Sequence, residues 1–228
     1  MSRIAENLAN ISQRIHSAAV AAGREPDVVR ILAVSKTHSV DKIREAYAAG
    51  LTSFGESYVQ EAIHKITELN DLPLEWHFIG PIQSNKTRTI AEHFHWVQSI
   101  DRLKIAMRLS EQRPKHLPPL NVCVQVNISM ESSKSGISQQ ALFEFVEQLI
   151  KLPHLKLRGL MAIPQKTTDE ARQRVMFGEL RRMFDDLNQQ DYQLDTLSMG
   201  MTNDLEAAVI EGSNMLRIGT GLFGARNQ

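Results

Sequence analysis

Hydrophobic residues follow two different spacings along this chain. Near the N-terminus they recur every three or four positions from Ile4 to Ala19 and stop at Gly23, which predicts an amphipathic helix. Beyond it, short apolar runs rich in β-branched residues alternate with segments of helical spacing. The runs predict eight strands, at residues 28–35, 52–55, 76–80, 96–100, 120–128, 155–163, 196–198 and 215–218.

Helical segments separate most of these strands. Three of these segments are preceded by residues that are typical of a helix N-terminus. Ser57 with Gln60 and Asn203 with Glu206 each have the spacing of a capping box. Asp101 precedes another amphipathic segment, where an aspartate is a favoured N-cap. We therefore expect helices to begin beside these residues.

Strands that alternate with helices predict a parallel sheet covered on both faces. Eight such units in about 200 residues lie at the lower size limit of a closed barrel, and a doubly wound open sheet is the alternative. A Pro-rich segment at 113–119 interrupts the pattern, but the alternation continues on both sides. We predict one domain over residues 1–228, a (β/α)₈ TIM-type barrel with an extra N-terminal helix, residues 1–23, packed on it.

Charge and composition favour a small-molecule ligand. The 228 residues include 26 Lys and Arg and 26 Asp and Glu, so the basic excess typical of nucleic-acid binding is missing. The N-terminus lacks the apolar segment of a signal peptide, and no window has the ~18 apolar residues of a membrane span. We expect a cytoplasmic protein that contacts neither nucleic acid nor membrane.

Cysteine and histidine give no sign of a metal or redox site. Cys123 is the only cysteine, and its apolar run, residues 122–126, predicts a buried strand position rather than a reactive thiol. His93 and His95 have a ligand-like spacing, but no third ligand accompanies them. No metal site is expected.

Active sites of such barrels lie at the carboxyl ends of the strands, which draws attention to Lys36. It follows the first apolar strand, where partial desolvation would disfavour the ammonium and free the amine as a nucleophile. Alternatively, its stem packs on the rim while the charge reaches water. Position alone does not decide between the two.

The last predicted strand strengthens the first interpretation. Arg217 and Gly219 lie two residues apart and share a face, and in a closed barrel this strand neighbours the one that ends near Lys36. The small residues at 198–201 and 219–221 suit phosphate binding through backbone N–H groups. A lysine beside a phosphate cradle is the arrangement that pyridoxal 5′-phosphate (PLP) requires.

Two other features of the sequence suggest different ligands, a dinucleotide and an anion. Residues 219–224, GTGLFG, match the dinucleotide fingerprint, but that motif needs a following helix and strand, and only four residues follow Gly224. We therefore do not expect dinucleotide binding. Lys134, in the segment 131–136 after the fifth strand, either attracts an anion or is an ordinary solvated loop lysine.

Six ordered segments resemble the pyridoxal phosphate homeostasis protein family across nearly the whole chain. The most specific has the pattern His-Phe-Ile-Gly-x-x-Gln-x-Asn-Lys. The segments are AVSKT (33–37), FGESYVQE (54–61), WHFIGPIQSNK (76–86), RGLM (158–161), LSMGM (197–201) and RIGT (217–220).

The resemblance implies a barrel similar to the N-terminal domain of alanine racemase, with PLP held as a Schiff base on Lys36. It places Arg217 near the pyridine nitrogen, with His77 and Met161 as further neighbours of the cofactor. Ser57 stands where the family commonly has Asn, so its reach toward the cofactor is shorter. The implied phosphate contacts are Ser198, Gly200, Gly219 and Thr220.

The resemblance further implies a carrier for PLP homeostasis, with PLP-dependent apoenzymes as recipients, no catalytic residues and a monomeric state. The racemase relatives add a second domain with a tyrosine base, which we do not expect because the chain ends soon after Gly224. Racemisation needs acid and base on both cofactor faces. Tyr58 or a water is a possible weak base, so a racemase of low activity is the alternative. A cofactor-free lyase that uses the barrel lysine is a third hypothesis.

Overall fold

The computed structural model describes residues 2–129 and 135–224, and its strands close into a barrel. All eight strands are parallel and paired in sequence order, β1 to β8, with β8 returning to β1. The barrel prediction is confirmed, and the open sheet is wrong. The strands are β1 Arg30–Val34, β2 Ser53–Glu56, β3 Glu75–Phe78, β4 Trp96–Ile100, β5 Leu120–Gln125, β6 Leu155–Met161, β7 Thr196–Ser198 and β8 Met215–Ile218.

Helices occupy the connections and both ends of the described chain. None in residues 2–129 and 135–224 is long and apolar enough to cross a membrane. They are α1 Arg3–Ala21, α2 Val40–Ala48, α3 Val59–Glu68, α4 Thr87–His93, α5 Leu103–Gln112, α6 Leu142–Leu149, α7 Glu170–Gln189, α8 Leu205–Ile210 and α9 Thr220–Phe223.

The N-terminal helix α1 packs beside the helices α8 and α9. Asn7 Nδ2 donates to the carbonyl oxygen of Leu222 at 2.8 Å, and Arg14 pairs with Glu206 at 2.6 Å. The buried residues of α1 include Ile11 and recur at helical spacing. This helix therefore joins the first and last parts of the chain.

Three helices begin beside the predicted residues, but the predicted capping bonds do not form. Neither capping box forms, and Asp101 does not cap, because its carboxylate pairs with the neighbouring Arg102 instead. Tertiary contacts of the loops override the local signal: Gly80, for example, packs so closely on Ser57 that an added Cβ would lie 2.4 Å from the Ser57 carbonyl oxygen. Each N-cap lies one residue after the predicted one and makes no side-chain capping bond; the three are Tyr58, Arg102 and Asp204.

The barrel interior contains polar side chains as well as apolar ones. Ser198 Oγ donates to Gln98 Oε1 at 2.6 Å, and since β7 and β4 are not neighbours, this bond crosses the interior. Trp96, Cys123 and Met161 form a separate apolar cluster. The prediction that Cys123 is buried is confirmed, and burial raises the pKa of its thiol to about 12.

Candidate functional site

The ends of β1 and β8 meet at the mouth of the barrel. Leu32 pairs with Arg217 in the β1–β8 register, and a Cβ built on Gly219 would lie 3.5 Å from Val34. Lys36 follows Val34 by two residues and is half-buried at the same edge. The structure therefore places Lys36, Gly219 and Arg217 on or just past the paired strands β1 and β8.

The backbone on both sides of Lys36 is held by the side chains of α3. Lys65 Nζ donates to the carbonyl oxygen of Ser35 at 2.8 Å and to Glu61 Oε1 at 2.6 Å. Glu61 Oε1 also accepts from the backbone N–H of Thr37, at 2.6 Å. Each residue flanking Lys36 thus has a specific partner on the helix behind it.

A buried carboxylate completes this network behind the strand. Glu56 Oε1 accepts from Ser35 Oγ at 2.6 Å and from Lys65 Nζ at 2.7 Å. Burial raises the pKa of Glu56, although Lys65 and Ser35 act in the opposite direction. The sequence reasoning missed Lys65, although its position three residues after Ala62, on the buried face of α3, was a signal.

Arg217 is buried below the mouth and is bound by main-chain oxygens. Its Nη1 donates to the carbonyl oxygen and to Oγ of Ser198, at 2.7 and 2.9 Å. Its Nη2 donates to the carbonyl oxygen of Ala162 at 2.8 Å. Burial lowers the pKa of Arg217 to about 10, so the guanidinium is still cationic at neutral pH.

His77 lies deeper in the interior and has a partner on each ring nitrogen. Its Nε2 is 2.8 Å from Glu75 Oε1, and its Nδ1 is 2.9 Å from Gln98 Nε2. Burial lowers the pKa of His77, so the ring is neutral at neutral pH. The sequence predicted His77 but missed Gln98 and Glu75. Gln98 has its partners, His77 and Ser198, on other strands. The partner of Glu75 is His77, two residues further along the same strand.

Small residues at the end of β8 leave backbone groups accessible. Gly219 is the N-cap of α9 and is half-buried, and Thr220 is exposed. The first amides of a helix have no intrahelical partner, although Gly221 N–H donates to Thr202 Oγ1 at 3.1 Å. These groups fit a phosphate beside Lys36.

Gly200 has a structural reason to be glycine. Its φ is +94°, and an added Cβ would lie 2.4 Å from the Cβ of Ala208. Its carbonyl oxygen accepts from the backbone N–H of Arg217 at 3.0 Å. Gly200 therefore fixes the approach of β7 to β8 below the phosphate-fitting segment.

The predicted ligand contacts divide into two layers. The half-buried or exposed residues Lys36, Ser57, Gly219 and Thr220 lie at strand ends, around the mouth. The fully or almost fully buried residues lie on strands or, for Gly200, two residues past the end of β7. Among them, Ser198 Oγ already binds Gln98 and Arg217. This second set is His77, Met161, Ser198, Gly200 and Arg217.

His93 and His95, which have a ligand-like spacing, lie before the start of β4, away from the mouth. His93 Nδ1 lies 2.9 Å from the carbonyl oxygen of Thr89, while His95 Nδ1 accepts from the backbone N–H of Trp76 at 3.0 Å. Within residues 2–129 and 135–224, no group of three or more His, Cys, Asp or Glu could hold a metal ion. Lys134 lies outside the described residues.

Comparison with known proteins relates this geometry to a family. The family model for the alanine racemase N-terminal domain matches residues 2–227. A protein of Pseudomonas aeruginosa named pyridoxal phosphate homeostasis protein is 62% identical over 227 residues, covering 100% of this chain and 97% of the relative. A protein of the same name from Escherichia coli K12 is 50% identical over 230 residues, covering 100% and 98%.

A solved structure is similar to this chain in both sequence and fold. PipY of Synechococcus elongatus, with PLP bound, is 40% identical and superposes with a TM-score of 0.84, covering 97% of this chain and 100% of PipY. In each of these comparisons at least 97% of both chains is matched. This chain therefore belongs to the family of pyridoxal phosphate homeostasis proteins, whose barrel is that of the alanine racemase N-terminal domain.

Proposed function

We propose that this chain binds PLP at the barrel mouth with Lys36 as its covalent partner, and that it serves cytoplasmic PLP homeostasis and delivery. The observation that carries the proposal is the pairing of β1 with β8, which brings Lys36 and Gly219 to one edge above Arg217. The names of the relatives and the PLP bound by PipY support the same ligand.

Each part of the ligand has matching groups in this chain. PLP supplies an aldehyde that condenses with a primary amine, and Lys36 provides that amine. The amides at the start of α9, beside Gly219 and Thr220, bind the phosphate. Arg217 faces the ring nitrogen and, because it remains cationic, disfavours a proton there.

This electrostatic arrangement favours storage over turnover. A ring nitrogen without a proton is a weaker electron sink, and electron withdrawal is what PLP contributes to catalysis. The two relatives are also named for homeostasis. The chain thus holds PLP without significant catalysis and, as a monomer, passes it to PLP-dependent apoenzymes.

Borohydride reduction of the purified protein mixed with PLP tests the proposal. We expect a yellow sample and, after reduction and digestion, the mass of the reduced cofactor on the Lys36 peptide. Lys36→Ala should lose both signals, while Lys104→Ala, which changes an exposed lysine of α5, should keep them. A sample that never takes up PLP refutes the proposal, and amino-acid racemisation abolished by Lys36→Ala would identify an enzyme.

A further inference from the structure

A chain of hydrogen bonds crosses the barrel interior from Arg217 to Glu75. Arg217 Nη1 donates to Ser198 Oγ at 2.9 Å, and Ser198 Oγ donates to Gln98 Oε1 at 2.6 Å. Gln98 Nε2 lies 2.9 Å from His77 Nδ1, and His77 Nε2 lies 2.8 Å from Glu75 Oε1. Ser198, Gln98 and His77 have no exposed surface, so water does not compete for these bonds.

The two ends of the chain fix the direction of every bond. A guanidinium only donates and an ionised carboxylate only accepts. The hydroxyl of Ser198 must therefore donate its hydrogen bond to the carbonyl oxygen of Gln98. The amide nitrogen of Gln98 then faces His77. Nδ1 of His77 must accept, and its proton lies on Nε2. This tautomer is the one in which His77 donates to Glu75.

The chain links two faces of the barrel. Arg217 lies on β8, level with Leu32 and below the mouth, whereas Glu75 is the first residue of β3 at the opposite edge, with its side chain 40% exposed. His77 stacks on Trp96 with 5.1 Å between ring centroids, which restricts its rotation. A buried network in which every member has a partner holds its groups rigidly.

We propose that Gln98 and His77 are positioning residues that hold Arg217 in the orientation in which it meets the PLP ring nitrogen, with Glu75 anchoring them from the opposite face. This inference rests on the proposed function. Gln98 is decisive because its carbonyl oxygen accepts the hydrogen bond from the Ser198 hydroxyl. This orients the hydroxyl so that a lone pair of Oγ is available to Arg217. Without that acceptor the hydroxyl is free to rotate, and one of the contacts of Arg217 is lost.

Gln98→Met tests this role, because methionine keeps the length of the side chain and removes both polar ends. In PLP titrations followed by absorbance we expect binding about tenfold weaker than wild type, the loss of one hydrogen bond to a charged group. The matched control is Gln173→Met on α7, where a similarly buried glutamine donates to the Thr167 carbonyl oxygen and should leave PLP affinity unchanged.

The outcomes separate this inference from the proposed function. A folded Gln98→Met protein with wild-type affinity overturns the positioning role, as does an equal loss in Gln173→Met. Failure of the wild-type protein to bind PLP refutes the proposed function instead. Urea unfolding of each variant establishes that it is folded before it is titrated.

A second variant tests the chain in the protein without ligand. Gln98→Glu keeps an acceptor for Ser198 but places carboxylates on both sides of His77, which favours a second proton on the ring. ¹⁵N NMR of His77 should change from one pyridine-type and one pyrrole-type nitrogen to two protonated nitrogens, while PLP affinity stays close to wild type. An unchanged His77 spectrum would overturn the inference, even if Gln98→Met failed to fold.

Discussion

The backbone N–H of Thr37 donates to Oε1 of Glu61 at 2.6 Å, while the Thr37 backbone has a φ of 67°. A β-branched residue in this left-handed region costs about 1–2 kcal/mol. Since Lys36 directly precedes Thr37, the strain lies beside the residue that we propose as the covalent partner. The carboxylate of Glu61 stabilises the strained conformation and thereby fixes the path of the chain as it leaves Lys36.

Replacement of Glu61 should weaken PLP binding without loss of the fold. Glu61→Ala removes the acceptor of Thr37, and we expect affinity to fall about fivefold, the equivalent of about 1 kcal/mol. Glu61→Gln retains an oxygen acceptor and should lose less. PLP titration of both variants measures the difference, and equal affinities for the two would contradict a role for this hydrogen bond.

The pair Lys65–Glu56 should be strongly coupled in stability. Both side chains are almost fully buried, and Lys65 Nζ lies 2.7 Å from Glu56 Oε1. Lys65→Met therefore removes the cation that offsets the buried negative charge of Glu56. We expect the free energy of unfolding to fall by about 3–5 kcal/mol. Urea unfolding of Lys65→Met, Glu56→Gln and the double variant measures the coupling, and additive losses would exclude it.

The same substitution should make stability depend on pH. Burial already raises the pKa of Glu56, and Lys65→Met removes the charge that opposes this rise. A group whose pKa is raised in the folded state stabilises the fold at low pH and loses that contribution as pH rises. The deficit of Lys65→Met relative to wild type should therefore grow from pH 5 to pH 8, and a constant deficit would show that Glu56 does not titrate there.

The sequence predicted the elements that are set by local periodicity. The bounds of β4, β7 and β8 agree with the apolar runs, and barrel closure predicted that the face of Arg217 and Gly219 adjoins Lys36. Helix starts were predicted less well, because loop packing around residues such as Gly80 decides where the backbone first turns.

The polar networks could not be predicted because their members come together only in three dimensions. Gln98 and Ser198 are 100 positions apart in sequence and lie on strands that are not neighbours. Glu56 and Lys65 are close in sequence, but whether Glu56 faces the interior or the helices depends on the phase of a four-residue strand. A shift of one residue in the pairing of a strand would turn each of its side chains to the opposite face, and so change the network that the side chain joins.

Gly219 at the mouth and Gly200 below it should respond differently to alanine. A Cβ on Gly219 would meet only ordinary contacts, at 3.5 Å or more, and its φ is −112°, so Gly219→Ala should change stability by less than about 0.5 kcal/mol. Its added methyl lies where we propose the phosphate binds, so PLP affinity should fall. Gly200→Ala instead combines a positive φ with overlap, which should cost about 2–4 kcal/mol.

Gly50→Ala is the control for backbone strain, because Gly50 also has a positive φ, +100°, but its Cβ would meet nothing within 4 Å. It should lose about 1 kcal/mol, less than Gly200→Ala. Urea unfolding and PLP titration on all three variants give both readouts. Normal PLP affinity in Gly219→Ala would argue against the phosphate site.

Cys123 should be unreactive in the folded protein. It has no exposed surface, and burial raises the pKa of its thiol to about 12, so almost no thiolate forms at neutral pH. Iodoacetamide at pH 8 should leave the native protein unmodified and alkylate Cys123 fully in urea, as read by mass spectrometry. Modification of the native protein at a rate faster than unfolding would contradict this burial.

Glu75 should stabilise the fold above about pH 5 and lose that effect in acid. Burial raises its pKa, but its hydrogen bonds, first of all the one with His77, outweigh this and lower the pKa from 4.5 to about 2. Because the folded-state pKa is depressed, the contribution is complete above the unfolded value and disappears as pH falls toward 2. The side chain is 40% exposed, so after allowance for solvent screening we expect about 1–2 kcal/mol. Urea unfolding of wild type and Glu75→Gln should differ by this amount at pH 6, differ by less at pH 3 and converge near pH 2, whereas Glu68→Gln, on the exposed side of α3, should cost less than about 0.5 kcal/mol. A Glu75→Gln deficit that persists unchanged at pH 3 would mean that the carboxylate charge does not stabilise the chain of hydrogen bonds through His77.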